Sequence, residues 1–94
     1  MQKMSVIRFK PKSEFYDEFL DELMNLVDEG RRATPQTRWV LKKDDEIISI
    51  AIRDEIGFAD NVKGGVNWLD TVRHMLHEWN PRDRHTLPLT GEII

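Results

Sequence analysis

The chain has 94 residues, a net charge of −3, and a composition that is 39% hydrophobic and 33% charged. That provides for one small domain over residues 1–94 and leaves too little apolar material for a second core. With no cysteine, disulfides, thiolate metal sites and cysteine nucleophiles are excluded. The acidic balance argues against a nucleic-acid partner.

No apolar run approaches the roughly 18 residues needed to span a bilayer, so no membrane partner is expected. The opening "MQKMSVIRFKPK" alternates instead of forming an apolar leader, which points to a cytoplasmic protein.

Within "MSVIRFK", Ile7 and Phe9 fall on one side and Val6, Arg8 and Lys10 on the other, the period of a strand. Pro11 closes it. Ser13 is then placed to cap a helix, with Glu14 and Asp17 where the helix dipole favours negative charge. "SEFYDEFLDELMNLVDEG" repeats apolar residues at helical spacing, through Phe15, Phe19, Leu23 and Leu26 beside Tyr16, Leu20 and Val27. Gly30 is positioned to end this helix. The other face carries Glu14, Asp17, Glu18, Asp21, Glu22, Asp28 and Glu29, a solvated acidic surface.

"TRWVLKKDDEIISIAIRDE" reads as a hairpin, two alternating runs around "KKDDE". Trp39 and Leu41 share a face with Ile48, Ile50 and Ile52. Val40, Ile47, Ser49, Ala51 and Arg53 share the other. "GFADNVKGG" is a glycine-rich loop. "NWLDTVRHMLHEW" has helical spacing, with Asn67 as cap and Asn80-Pro81 as stop. "HTLPLTGEII" is extended, and Pro88 assigns it to a sheet edge because proline cannot donate to a ladder.

The order strand, helix, strand, strand, helix, strand gives an α+β fold, a ferredoxin-like βαββαβ arrangement with a four-stranded antiparallel sheet and both helices on one face. The isoleucine-rich face is expected beneath the helices. The other, with Val6, Val40, Ile47 and Ala51, would be too apolar to leave in water. A homodimer with facing sheets follows. Arg8 and Arg53 would then find Glu46 or Asp54 across that interface.

In "VIRFKPKSEFYDEFLDELMNLVDEG", "RWVLKKDDEIISIAIRDE" and "NWLDTVRHML", the chain resembles the dimeric α/β-barrel superfamily, in its antibiotic-biosynthesis-monooxygenase-like group, from residue 4 to at least residue 79. The resemblance implies dimers formed through the sheets, pockets between sheet and helices, and, in some members, oxygenation of activated aromatic substrates without metal or flavin. It also implies a haem-degrading alternative in which Trp68 and His77 serve the haem. That branch carries an asparagine on its first strand, where this chain has Arg8 and Phe9.

"VRHMLHEWNPRDRH" holds all three histidines. On a helical wheel Trp68, Leu69, Val72, Met75, Leu76 and Trp79 form an apolar stripe, opposite Asp70, His74 and His77. Asp70 and His77 would stand about 10 Å apart along the axis. Ligand bonds of about 2 Å cannot bridge that span, so no metal site is expected unless His85 folds back. Trp68 and His77 are the candidate catalytic residues, His77 as an acid–base group. "KGGVN" lacks the strand–loop–helix pattern of a nucleotide loop.

The resulting expectation is a homodimer binding a small apolar or aromatic ligand against Phe9, Trp39, Ile50 and Trp68, with cofactor-independent monooxygenation as the associated chemistry. The alternatives are a non-enzymatic dimeric module and a haem-binding protein.

Overall fold

The computed structural model describes residues 2–33, 37–54 and 67–94. Four antiparallel strands form one sheet: β1 (Gln2–Phe9), β2 (Thr37–Lys43), β3 (Glu46–Asp54) and β4 (Thr86–Glu92). Their order is β2-β3-β1-β4, which is compatible with the ferredoxin-like arrangement. β4 is an edge strand, and its Pro88 lies opposite Ile7, where its missing N–H leaves no gap in an interior ladder. A two-residue turn joins β2 to β3, and Asp44 takes the left-handed conformation there, with φ 54°.

The first helix, α1 (Tyr16–Ala33), is preceded by a 3-10 turn, Ser13–Phe15. The cap is Lys12 in extended conformation, with no side-chain capping bond, so Ser13 is not the cap that its sequence position suggests. Nor does Gly30 end the helix. The backbone continues helically through residues 31–33.

Phe19, Leu23 and Val27, four residues apart, lie on one stripe of α1 and are buried. They meet Phe9 and Ile47 from the sheet, and Val72, Met75 and Leu76 from the second helical region, in one core. Both helical regions therefore cover the same sheet face. Rings dominate its centre: Phe9 and Phe19 lie 5.1 Å apart, and Trp68 stands 6.3 Å from Phe9 and 6.0 Å from Phe19.

The register decides the two sheet faces. Phe9 lies opposite Ile47, Ile7 opposite Ser49, and Ser5 opposite Ala51. Directly opposed residues share a face, so once Phe9 turns inward, Ile47, Ser49 and Ala51 follow, with Val40 opposite Ser49. The expectation for the hairpin is thus reversed. Ile47 and Ala51 are in the interior and Val40 packs against it. Trp39, Leu41, Ile48, Ile50 and Ile52 lie on the open face.

The second helix is shorter than its pattern. Residues 67–72 form α2, a 3-10 turn spans Arg73–Met75, and Leu76 is extended. From there the chain pairs with the end of β1. Lys12 N–H donates to Met75 O at 2.8 Å, His77 N–H donates to Lys10 O at 2.8 Å, and Pro11 bridges Leu76. Lys10 and Lys12 have the same parity as Gln2, whose carbonyl accepts from Ile93 N–H at the far end of β4. Residues 75–77 and β4 therefore flank one edge of β1, with residues 78–85 looped out between them.

Among the described residues, no helix is long and apolar enough to cross a membrane.

Candidate functional site

The four expected wall residues separate into two pairs on opposite faces. Phe9 and Trp68 meet beneath the helices in the ring cluster with Phe19. Phe9 is buried and Trp68 half-buried, so Trp68 is the ring that reaches the surface. Its carbonyl accepts from Thr71 Oγ1 at 2.6 Å, within α2. Trp39 and Ile50 are cross-strand partners on the open face. One pocket cannot be lined by all four.

Two apolar features result. The first is the aromatic corner of Phe9, Phe19 and Trp68. The second is the open face. Its central row runs Trp39, Ile50, Val6, Leu89 across all four strands. The adjacent row is Leu41, Ile48, Arg8, Leu87, and on the other side Ile52 pairs with Met4. Trp39 is 45% exposed, Leu41 46% and Leu89 72%. Leu41 keeps the company of Trp39 that the alternation predicts, and Met4, Leu87 and Leu89 join that face through the register of β1 and β4.

Arg8 lies in the row beside the central one, and it is paired. Its Nε and Nη2 donate to the two Glu46 carboxylate oxygens at 2.8 and 3.1 Å. The pairing expected between subunits is made within one. The hydrogen bond from Arg8 holds the Glu46 carboxyl below its ordinary range, and Glu46 raises Arg8 in return. Arg8 and Lys10 also lie over the Trp79 ring, at 4.9 and 5.2 Å from its centroid. The Trp79 indole Nε1 is buried and has no hydrogen-bond partner among the described residues. Arg53 and Asp54 side chains, the glycine-rich loop and "KGG" lie outside the described residues.

The histidines do not converge. His74 stands edge-on to Phe15, with centroids 5.6 Å apart. His77 has left the helix, and its backbone is paired to Lys10. Trp68 and His77 are therefore not on one continuous helix. Among the described residues, no three His, Asp or Glu side chains are grouped to hold a metal ion. Asp70 instead accepts from Arg73 Nε at 2.8 Å.

His85 is the one histidine drawn into the structure, with its side chain 12% exposed. Its Nδ1 lies 3.3 Å from Arg73 Nη1, and its Nε2 lies 3.8 Å from Glu78 Oε1. Burial pushes its imidazole below the ordinary value. Glu78 opposes that shift, while Arg73, Arg84 and Lys12 add to it. No local sequence signal links residues 73 and 85; the looped edge brings them together.

No protein-family model matches the chain, and a search of curated proteins finds no match. The fold and these two apolar features therefore carry the functional reading by themselves.

Proposed function

We propose that the chain is a homodimeric binding module with one ferredoxin-like unit per subunit, its two sheets packed face to face as in the dimeric α/β-barrel proteins it resembles. The observation that carries this reading is the open face. Trp39, Ile50, Val6 and Leu89 run across it without a polar break, and Leu41, Ile48, Leu87, Ile52 and Met4 flank them. Strand spacing and rise give the face a projected area of about 500 Å². Side-chain relief brings that near the roughly 800 Å² per partner of a standard interface. A second copy suits it because a two-fold axis through the central row sets apolar against apolar. The Arg8–Glu46 pair is already neutralised within the subunit and needs no counter-charge.

The aromatic corner is the ligand side of this module. Trp68, half-exposed beside the buried Phe9 and Phe19, offers ring surface to a small apolar or aromatic molecule. The reading is binding of such a molecule, supported by the rings that meet Trp68 among the described residues, Phe9 and Phe19.

Sedimentation tests the dimer: the expected species at micromolar concentration has twice the chain mass of 11.1 kDa. A monomer at tens of micromolar refutes it. Oxygen uptake with a hydroxylated aromatic or quinol substrate, lost in Trp68→Ala, would replace binding with the oxygenase activity of the resembled family.

A further inference from the structure

The looped edge between residues 78 and 85 encloses one titratable ring. Arg73, fixed from its other side by Asp70, directs Nη1 at His85 Nδ1. A guanidinium can only donate, so Nδ1 must accept, and the ring proton lies on Nε2, on the side of Glu78. The neutral Nε2–H tautomer is the form this geometry holds. A proton added at Nδ1 would set N–H against N–H and turn the Arg73 contact repulsive. The groups facing His85 from the neighbouring elements are Arg73 on the 3-10 turn, Glu78 on the segment after it, Arg84 in the loop and Lys12 at the cap before α1. Three are cations that oppose a second positive charge; Glu78 favours it, from 3.8 Å.

The surrounding backbone is poised to respond. Arg84, the preceding residue, is held at φ 62°, a left-handed conformation that is strained for a non-glycine residue. It is held by two hydrogen bonds: Trp79 N–H donates to Arg84 O at 2.6 Å, and Arg84 N–H donates to Asn80 O at 2.8 Å. β4 begins at the residue after His85, and Leu87 and Leu89 of β4 belong to the open face.

We propose that His85 is a proton-operated latch: neutral, it ties the start of β4 to Arg73, and protonated, it frees the loop and loosens the Leu87–Leu89 border of the open face. Its effect on association rests on the dimer reading; its effect on the loop does not.

The test is an NMR titration of the full chain paired with sedimentation at two pH values. The expected result is an Nε2–H nitrogen signature for His85, with titration below the ordinary imidazole value. Amide shifts of Arg84, Thr86 and Leu87 should follow the same curve. The dimer dissociation constant should rise several-fold on acidification across that transition, and His85→Gln, which keeps an acceptor for Arg73 but cannot titrate, should abolish the rise. Glu78→Gln, at an exposed position, should move the His85 titration lower still. An Nδ1–H tautomer, titration at or above the ordinary value, or pH dependence retained in His85→Gln would overturn the latch. A monomer at both pH values would remove the dimer reading, and the His85 titration would still decide the latch.

Discussion

Leu89→Ser and Ile47→Ala together separate association from folding. Leu89 is 72% exposed on the open face, and Ile47 is fully buried on the inner face. Complete burial of a leucine is worth about 1.5–3 kcal/mol, so about 1–2 kcal/mol is still available at Leu89 when a second copy covers it. A two-fold interface counts the residue twice, giving about 2–4 kcal/mol, or a dissociation constant weaker by about 30- to several-hundred-fold. Leu89→Ser should change monomer stability by less than about 1 kcal/mol, since little of the side chain is buried there. Ile47→Ala removes packed atoms against Phe9 and should cost about 2–5 kcal/mol of folding free energy. Sedimentation reads the first number. Urea unfolding at a dilution where all variants are monomeric reads the second. If Leu89→Ser destabilises the monomer as much as Ile47→Ala, or leaves association unchanged, the assignment of the faces is wrong.

Three further outcomes follow from the same structure. Asp44→Gly should raise stability by up to about 1 kcal/mol, because φ 54° at the hairpin turn favours a residue without Cβ; a higher thermal midpoint checks it. Thr90→Val should cost about 1–3 kcal/mol in urea unfolding, because Ser5 is buried and its hydroxyl bonds Thr90 Oγ1 at 3.1 Å, so a buried hydroxyl would lose its partner. The Arg8–Glu46 pair should be stabilising above the ordinary glutamate range and lose its contribution as pH falls through the lowered Glu46 value; Glu46→Gln should therefore lower the urea midpoint near pH 7 and lose that difference once the Glu46 carboxylate is protonated.

Elements whose identity depends on local pattern were legible in the sequence. The period of two in "MSVIRFK" and in both arms of the hairpin yields strands, the spacing of Phe19, Leu23 and Val27 yields a buried helical stripe, and Pro88 identifies an edge strand. The choice of buried face in the hairpin was not legible. An alternating strand has two faces, and composition chooses between them only when one is polar. Here both are apolar, and what decides is the register that sets Ile47 opposite Phe9. That is a contact between residues 38 positions apart, invisible to any local window. The inference that the sheet has a second apolar side was sound; its membership was not, since Val6 alone of the four expected residues lies there.

The second helix shows why the candidate site was harder to read than the fold. Val72, Met75 and Leu76 are buried, as the helical wheel requires. Yet the chain leaves the helix at Val72, because the same three residues can be buried by a short turn followed by extended backbone. The deciding factor lies elsewhere, in the overhang of β1 beyond β4. Lys10 O and Lys12 N–H need partners there, and Met75 O and His77 N–H provide them. The exchange of helical for strand hydrogen bonds costs little, but it redirects every side chain after Leu76. His77 is taken off the face of Asp70 and His74, Trp79 is moved beneath Arg8 and Lys10, and His85 is carried back to Arg73. The helical-wheel placement of these histidines therefore depended on a helix that the pairing with β1 ends at residue 72. The prediction that follows concerns residues 67–79 as an isolated peptide. Freed from β1, it should extend its helix past Val72 in a helix-promoting solvent; if it stops at Val72 there too, the break is intrinsic to the sequence and not imposed by β1.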